Sequence, residues 1–327
     1  HISVGSSAIE PNLKPMRQQE ATAGVEHQFS DVISASVRYV HKQIDRAIED
    51  TQTATLDASG SEIYIIANPG EGLAEPAFRD ANGNVLATVP KPVRDYDSVE
   101  FAIEKRLQNN WFLRTSYLWS RLWGNYSGLS QSDENGRTSP NVGRLYDYPM
   151  MMFKDGGEAV YGLLPTDRPH QFKAQFIYQA PFGTALGLNQ YLASGLPVTR
   201  EIGIYPGNNL PVQYLGRGSD GRTPTYSQTD LLVQHRFRLG AEKSLEVSFN
   251  VLNLFNQDTA IARFSTYHQV NGVTPLGPDG SEEAFYRGQL RLADLIVSQG
   301  VTQDPRFLKD SAFQAPLQAR FGIKFLF

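Results

Sequence analysis

Apolar and polar side chains alternate along much of this chain. In the segment 171–180, Phe172, Phe176 and Tyr178 share one face, while Lys173 and Gln175 share the other. A period of two indicates a β-strand between an apolar and a polar environment, and about ten residues let a tilted strand cross a bilayer. The same pattern predicts strands at 21–29, 33–39, 99–107, 231–237, 245–251 and 317–327, and less clearly at 111–123 and 185–193.

The connections between these nine segments are alternately short and long. The short ones lie at 30–31, 108–110, 181–183 and 239–242, and the long ones at 49–94, 128–169, 202–223 and 260–314. This alternation is typical of outer-membrane barrels, whereas a compact soluble domain rarely accommodates four such loops. We therefore predict an all-β fold, a transmembrane antiparallel up-and-down β-barrel with long extracellular loops. In the first loop, Asn82 and Gly83 predict a small hairpin above the membrane.

Charged residues within the segments indicate which face meets lipid. Arg or Lys in hydrocarbon at the bilayer midplane costs roughly 2 to 4 kcal/mol. Shifting the last segment by one residue would place Arg320 and Lys324 in lipid, so we expect both to face an aqueous interior. The polar positions of the other segments likewise include Arg38, Lys173, Arg236 and Glu246, which we also expect to face the aqueous interior. Lys105 and Arg121 are exceptions: Lys105 lies beside a predicted turn and can reach the interface, and Arg121 is expected near the outer rim.

Aromatic residues mark the ends of predicted strands. We expect Trp111 at one membrane interface and Trp119 and Trp123 at the other, as parts of an aromatic girdle. The last segment has apolar residues at every second position, namely Phe321, Ile323, Phe325 and Phe327. This ending has the form of the signal that the outer-membrane insertion machinery reads, and the alternative is an ordinary amphipathic strand.

Composition narrows the class of protein further. Hydrophobic residues make up 40% of the 327 residues, and the absence of cysteine excludes disulfides and thiolate chemistry. No apolar run approaches the roughly 18 to 20 residues of a membrane helix. A net charge of -4 argues against nucleic acid as a partner. The chain opens at His1 without an initiator methionine or a signal-peptide pattern, so we expect a processed protein or a piece of a longer one.

No arrangement of residues in the sequence indicates catalysis. The six histidines are scattered without the spacing of a metal site, and carboxylates such as Asp133 and Glu134 lie in predicted loops, where they are usually solvated. Neither a nucleophile elbow nor a phosphate-binding loop is complete. We therefore expect no enzymatic activity, no metal site and no cofactor.

Aromatic residues in the predicted loops are candidates for contact with an unknown small ligand, because rings offer large rigid surfaces at low entropic cost. These residues are Tyr146, Tyr148, Phe153, Tyr205, Tyr214 and Tyr267. The alternative is that they pack the loops together. The methionines at 150–152 have the same two interpretations.

Three motifs carry a resemblance to a known family. Residues 250–256 read Asn-Val-Leu-Asn-Leu-Phe-Asn, residues 96–101 read Tyr-Asp-Ser-Val-Glu-Phe, and residues 164–170 read Leu-Pro-Thr-Asp-Arg-Pro-His. In this order along the chain, they resemble strand ends and openings in the barrels of TonB-dependent receptors, most closely the Oar-like branch. The resemblance runs over nearly the whole chain.

The resemblance implies a larger barrel closed around an N-terminal plug, with energy supplied by the TonB complex. Residues 1–327 would be the C-terminal segment of that barrel, with the plug and the earlier strands absent. The implied location is the outer membrane of a Gram-negative bacterium, and the implied function is active uptake of a nutrient of siderophore, glycan or peptide class. The implied partners are outer-membrane lipid, the TonB complex through the missing plug region, the barrel insertion machinery and an unknown small ligand.

Two other classes of protein remain open at this point. A passive porin or a surface adhesin would use the same kind of barrel. A soluble all-β carbohydrate-binding module would instead bury its apolar face between two sheets and have short loops at both ends of its strands.

Overall fold

The fold consists mainly of β-strands. The structure is a computed structural model and describes residues 9–56, 62–128, 145–146, 148–204, 210–240 and 243–327. In chain order its strands are β1 (Arg17–Gln28), β2 (Ile33–Arg46), β3 (Glu49–Leu56), β4 (Glu62–Ala67), β5 (Pro76–Arg79), β6 (Val85–Thr88), β7 (Arg94–Gln108), β8 (Trp111–Gly124), β9 (Phe153–Lys154), β10 (Glu158–Ala159), β11 (Gly162–Leu163), β12 (His170–Gln179), β13 (Thr184–Ala193), β14 (Ile202–Ile204), β15 (Leu210–Val212), β16 (Tyr226–Arg238), β17 (Ser244–Leu252), β18 (Ala260–Arg263), β19 (Asp310–Phe313) and β20 (Gln318–Leu326). The helices are α1 (Glu283–Tyr286) and α2 (Leu292–Ser298), with single 3-10 turns at Gly72–Ala74 and Pro149–Met152. No helix in the described ranges is long and apolar enough to cross a membrane.

Nine of the described strands form one antiparallel path, which we call the main sheet. Its order is β1-β2-β7-β8-β12-β13-β16-β17-β20, with β11 pairing beside β8. Neighbours in the sheet are therefore neighbours along the chain once the small loop strands are set aside, as in an up-and-down fold. All nine predicted segments are found, and several are longer than predicted: the segment 99–107 belongs to β7, which begins at Arg94. The predicted all-β antiparallel fold is confirmed.

The short turns all lie at one end of the main sheet, and the residues in them explain their geometry. Asn109 and Asn110 both have positive φ, 56° and 70°, which is the conformation of a two-residue type I′ hairpin turn. Gly183, at φ 94°, donates its N–H to the Ala180 carbonyl at 3.1 Å in the turn between β12 and β13. The long connections lie at the opposite end, as predicted.

One face of the main sheet is apolar and open. The side chains of Phe176 and Phe321 are 38% and 67% exposed, and other exposed members of this face are Val25, Phe101, Leu188 and Phe249. A soluble sandwich would seal these side chains in a core, whereas a membrane strand presents them to hydrocarbon. We call this side of the main sheet the apolar face.

The opposite face is charged and hydrogen-bonded, and we call it the polar face. Ion pairs join neighbouring strands across it: Lys42 to Glu20 at 3.1 Å, and Arg236 to Glu246 at 2.9 Å. On the last strand, Lys324 lies directly opposite Glu246 in the register. The predicted parity of the charged residues therefore agrees with the register of the sheet.

The long connections build a second hydrophobic core outside the main sheet, which we call the loop core. Its fully buried side chains come from all four long connections and include Ala47, Met150, Ile202, Val273 and Phe285. The long connections also form the small hairpins β3–β4, β5–β6, β9–β10, β14–β15 and β18–β19. Of these, β5–β6, β9–β10 and β14–β15 contribute side chains to the loop core. The hairpin predicted at Asn82 and Gly83 is β5–β6, with Gly83 at φ 83°.

Candidate functional site

The polar face carries a cavity of about 630 Å³ near the middle of the main sheet. Its lining comes from five neighbouring strands, β7, β8, β12, β13 and β16. Because every second side chain points to the same face, the register alone brings these groups together: Lys173 lies opposite Ser116 on one side and Tyr191 on the other. We call this feature the wall cavity.

The carboxylates of the wall cavity are already engaged. Glu100 accepts a hydrogen bond from the Arg38 guanidinium at 2.6 Å. Asp230 accepts from the backbone N–H of Asn253 and from the side-chain amide of Gln228, both at 2.9 Å. Both negative charges therefore have donors from the protein itself.

The cations of the wall cavity are held more loosely. The guanidinium Nε of Arg114 lies 3.8 Å from the Glu104 carboxylate, beyond hydrogen-bonding distance. Lys173 has no ion-pair partner in the part of the chain that the structure describes, and its ammonium lies 5.8 Å from the centre of the Tyr191 ring. The Tyr191 hydroxyl donates to the Gln171 side chain at 2.9 Å. The wall cavity can therefore hold a polar ligand through positive charge and hydrogen bonds.

The Asn-Leu-Phe-Asn motif closes the outer end of β17. Asn253 is 2% exposed and has φ 51°; its Nδ2 donates to the carbonyls of Gln257 and Ala315 at 2.8 and 2.9 Å, and its Oδ1 accepts from the Gln257 N–H at 2.9 Å. Asn256, at φ 48°, accepts from the Leu317 N–H at 2.9 Å. Asparagine suits these positions because it tolerates left-handed backbone and bonds it locally. The motif ties the end of β17 to the approach of β20.

The motif at 164–170 joins the second and third long connections. The buried Asp167 carboxylate accepts from the Leu122 N–H at 2.6 Å and from the Arg222 guanidinium. The neighbouring Arg168 donates to the Ser194 carbonyl. Two of the three motifs that led to the family resemblance, at 164–170 and 250–256, therefore have structural roles at the outer ends of strands.

Part of the candidate set of loop aromatics is buried. Tyr146, Phe153 and Tyr214 lie in the loop core beside the methionines at 150–152, and burial raises the pKa of both tyrosine hydroxyls. These side chains pack against protein, as in the alternative noted above, and their contact with a ligand stays a prediction. Tyr205 lies outside the described residues.

The other two loop tyrosines are half-buried and partnered. The Tyr148 hydroxyl donates to the Glu282 carboxylate. The Tyr267 ring meets the Phe307 ring edge-on at 5.2 Å, and the Arg200 guanidinium lies 4.8 Å from the centre of the Phe307 ring. Contact of Tyr148 or Tyr267 with a ligand stays a prediction.

Lys105, an exception to the parity rule, is satisfied by its own turn. Its ammonium donates to the carbonyls of Gln108 and Trp111, both at 2.8 Å, and lies 3.9 Å from the centre of the Trp111 ring. The charge is therefore covered beside the short turn, near the interface where Trp111 is expected. These two carbonyls replace the headgroup contact that Lys105 would make if its side chain extended to the interface.

The other tryptophans lie in the half of β8 near the long connections. Trp119 is exposed on the apolar face, and Trp123 stacks on Tyr161 with ring centres 5.5 Å apart. Arg121 lies opposite Asp97 in the register and 5.9 Å from the Trp123 ring. These positions match the expected ends of the strand, and a role in an aromatic girdle stays a prediction.

The proposed insertion signal lies on the apolar face of the last strand. Its four side chains are exposed, and the rings of Phe325 and Phe327 lie 5.9 Å apart; the members are Phe321, Ile323, Phe325 and Phe327. Their accessibility is compatible with recognition by the insertion machinery, which stays a prediction.

Titratable groups in the described residues are not gathered into a metal site. No group of three histidine or carboxylate side chains in the described ranges could hold an ion, and Asp133 and Glu134 lie outside those ranges. The buried His268 accepts a hydrogen bond at Nδ1 from the Gly203 N–H at 3.1 Å. Burial lowers the pKa of His268, and the nearby Asp304 opposes that shift.

An antiparallel sheet with an open apolar face, a charged opposite face, and turns and long loops at opposite ends defines an outer-membrane β-barrel domain. The chain belongs to this family: the family model described as "Outer membrane beta barrel domain" matches residues 2–214. The location is the outer membrane. The TonB-dependent transporter Oar of Myxococcus xanthus is 26% identical over 340 residues, which cover 99% of this chain and 29% of that protein.

Solved structures give weaker likenesses. The outer membrane transporter YddB from Escherichia coli is 13% identical, with 81% of this chain and 31% of that chain covered and a TM-score of 0.45. P. aeruginosa FpvA bound to heterologous pyoverdines is 10% identical, with 96% and 27% covered and a TM-score of 0.45. At TM-scores below 0.5, these likenesses support no inference about this chain. The resemblance to TonB-dependent receptors is confirmed by the similarity to Oar along 99% of the chain, and Oar is a transporter rather than an enzyme.

Sequence reasoning placed Lys173 on the polar face but did not single out the wall cavity. Arg114, Tyr191 and Asp230 are far apart along the chain and meet Lys173 only through the pairing register. The sequence feature that pointed towards the wall cavity was the set of amide, hydroxyl and charged side chains at every second position of three predicted strands. This feature predicts a polar face, but it does not predict where on that face a cavity lies.

Proposed function

We propose that the protein is the C-terminal barrel portion of a TonB-dependent outer-membrane transporter that binds a nutrient and takes it up actively. The main support is the wall cavity on the polar face of a sheet whose apolar face suits lipid. The similarity to Oar along 99% of the chain supports the same function. Because the chain spans 29% of Oar, the activity would belong to the whole protein.

The residues of this chain would supply the wall and the entrance of the transporter. The wall cavity, at about 630 Å³, falls within the roughly 300 to 1,000 Å³ of small-ligand sites. The interlocked long connections would receive the ligand first, and the polar face would bind it next. The TonB complex would supply energy through the N-terminal plug region that the resemblance implies.

A genetic comparison tests this function. Strains that lack the full-length protein, or that lack TonB, are grown on limiting iron chelates, glycans or peptides, and uptake is measured for each. We expect both strains to lose the same nutrient. Growth on that nutrient without TonB would favour a passive porin, and loss of surface attachment without a nutrient defect would favour an adhesin. Either result would contradict the proposal.

The soluble-module alternative makes a different biochemical prediction. Because Phe176, Leu188 and Phe321 lie on an open apolar face, we expect the full-length protein to require detergent for monodispersity. A monodisperse protein in plain buffer would contradict the membrane placement.

A further inference from the structure

We propose that the wall cavity binds an anionic group, a carboxylate or a phosphate, carried by the transported ligand. This inference rests on the proposed function and adds the chemical class of the ligand. It follows from how the charges of the wall cavity are distributed among their partners.

The negative charges of the wall cavity are neutralised from within the protein. Glu100 is paired with Arg38 at 2.6 Å. Asp230 accepts hydrogen bonds from the backbone of Asn253 and the amide of Gln228. A cationic ligand would have to displace these donors, at the cost of leaving them without partners.

The positive charges of the wall cavity are less firmly bound than the negative ones. Arg114 stands 3.8 Å from the Glu104 carboxylate, outside hydrogen-bonding distance, so its fork of N–H donors can turn to a ligand oxygen. Lys173 has no ion-pair partner in the described part of the chain, and its three ammonium donors face the space beside Tyr191. Two cations therefore line one cavity without a counter-ion in hydrogen-bonding contact.

Neutral hydrogen-bonding groups complete the wall cavity. Asn189 and Gln175 lie directly opposite each other on β13 and β12, and Ser116 lies opposite Lys173 on β8. Amide and hydroxyl donors of this kind bind carboxylate or phosphate oxygens beside a cation.

The wall cavity as a whole has no excess of positive charge, since Lys173 and Arg114 are matched in number by Glu100 and Asp230. Selection of an anion would follow instead from which of these charged groups is already bound. Both carboxylates accept hydrogen bonds from the protein, whereas the Lys173 ammonium can donate to an entering ligand. An anion would therefore bind Lys173 without breaking an ion pair among the described residues.

Calorimetry on the detergent-solubilised full-length protein tests the inference, with succinate as the probe and succinamide as its neutral counterpart of similar size. We expect succinate to bind at least tenfold more tightly than succinamide. Lys173→Gln is expected to weaken succinate binding at least tenfold, whereas Lys173→Arg, which keeps the charge, is expected to retain it. Arg114→Gln provides a second, independent loss of charge.

The matched control is Lys324→Gln, the same substitution on the same polar face but outside the wall cavity. It is expected to leave succinate binding unchanged. Equal binding of succinate and succinamide, no binding of succinate, or no effect of Lys173→Gln in a folded protein would each overturn the inference. If an acidic part of the plug occupied the wall cavity, succinate would not bind.

The outcome can be separated from that of the proposed function. If nutrient uptake depends on TonB but Lys173→Gln changes neither succinate binding nor uptake, only the inference fails. If succinate binding depends on Lys173 while no nutrient depends on TonB, the anion site stands and the transport function fails.

Discussion

The strongest test of the membrane placement is a charge at Leu188, in the middle of β13. Leu188 is 41% exposed on the apolar face and lies between Phe176 and Leu231 in the register. We expect Leu188→Lys to destabilise the folded barrel strongly, because the ammonium would enter hydrocarbon near the midplane of the bilayer.

The expected magnitude has two parts. Lys at the midplane of a barrel costs roughly 2 to 4 kcal/mol. Removal of the leucine side chain from an apolar environment adds about 1.5 to 3 kcal/mol. A loss of about 4 kcal/mol or more corresponds to roughly a thousandfold change in the ratio of folded to unfolded protein.

The neighbouring residue supplies the matched control. Asn189 lies on the polar face, so Asn189→Lys introduces the same charge one position away and is expected to change stability by less than about 0.5 kcal/mol. The free energy of unfolding of the full-length protein in lipid vesicles is measured by urea titration. Equal destabilisation by both substitutions, or a larger effect at Asn189, would refute the assignment of the two faces.

Three further predictions concern the end of β17 and the long connections. Asn253→Ala removes three hydrogen bonds of about 1 kcal/mol each and strains a left-handed backbone. We expect the free energy of unfolding, measured by heat or urea, to fall by roughly 3 to 4 kcal/mol. Asn253→Gly should recover about 1 kcal/mol of this loss, because glycine accepts the left-handed backbone. Asp167→Asn or Arg222→Gln should each lower the free energy of unfolding by about 2 to 3 kcal/mol and make proteolysis of the loops faster. The cost is smaller than for a fully buried ion pair because Arg222 is partly exposed. The double variant should recover part of the loss. Burial lowers the pKa of His268 below its usual value near 6.5, so the unfolded chain binds the proton first. Above pH 6.5 the neutral His268 ring keeps its hydrogen bond with the Gly203 N–H in the folded protein. The free energy of unfolding should decline as the pH falls from there through the lower folded-state pKa. An equal fall of the melting temperature in His268→Gln would contradict this prediction.

The main sheet could be predicted from the sequence because its signals are local and energetically strong. Alternation over a strand fixes which side chains share a face, and a shift by one residue would move Arg320 and Lys324 into lipid. The turns were equally readable, since Asn109 and Asn110 are residues that accept positive φ. Lys105 is an exception to the alternation of apolar and charged positions, and the carbonyls of Gln108 and Trp111 accept hydrogen bonds from its ammonium.

The long connections were predicted as loops, but their internal structure was not. Only the hairpin at Asn82 and Gly83 has a local signal; the other small hairpins and α2 depend on contacts between distant segments. Asp155, for example, accepts hydrogen bonds from the N–H groups of Leu292 and Ala293 at the start of α2, at 2.7 and 3.0 Å. Such a pairing across more than a hundred residues leaves no periodic trace. The wall cavity escaped prediction for a related reason, since it depends on the register of five strands.

The loop core has a consequence for biogenesis. Its side chains come from four stretches of chain that must each be threaded across the membrane before they can meet, from Ala47 in the first to Ile296 in the last. Once they have met, withdrawal of any one stretch would return apolar surface to water, at about 25 cal/mol per Å². The loop core would thus make assembly directional: it forms only after all four stretches have crossed the membrane, and it then opposes the return of the strands that precede and follow them.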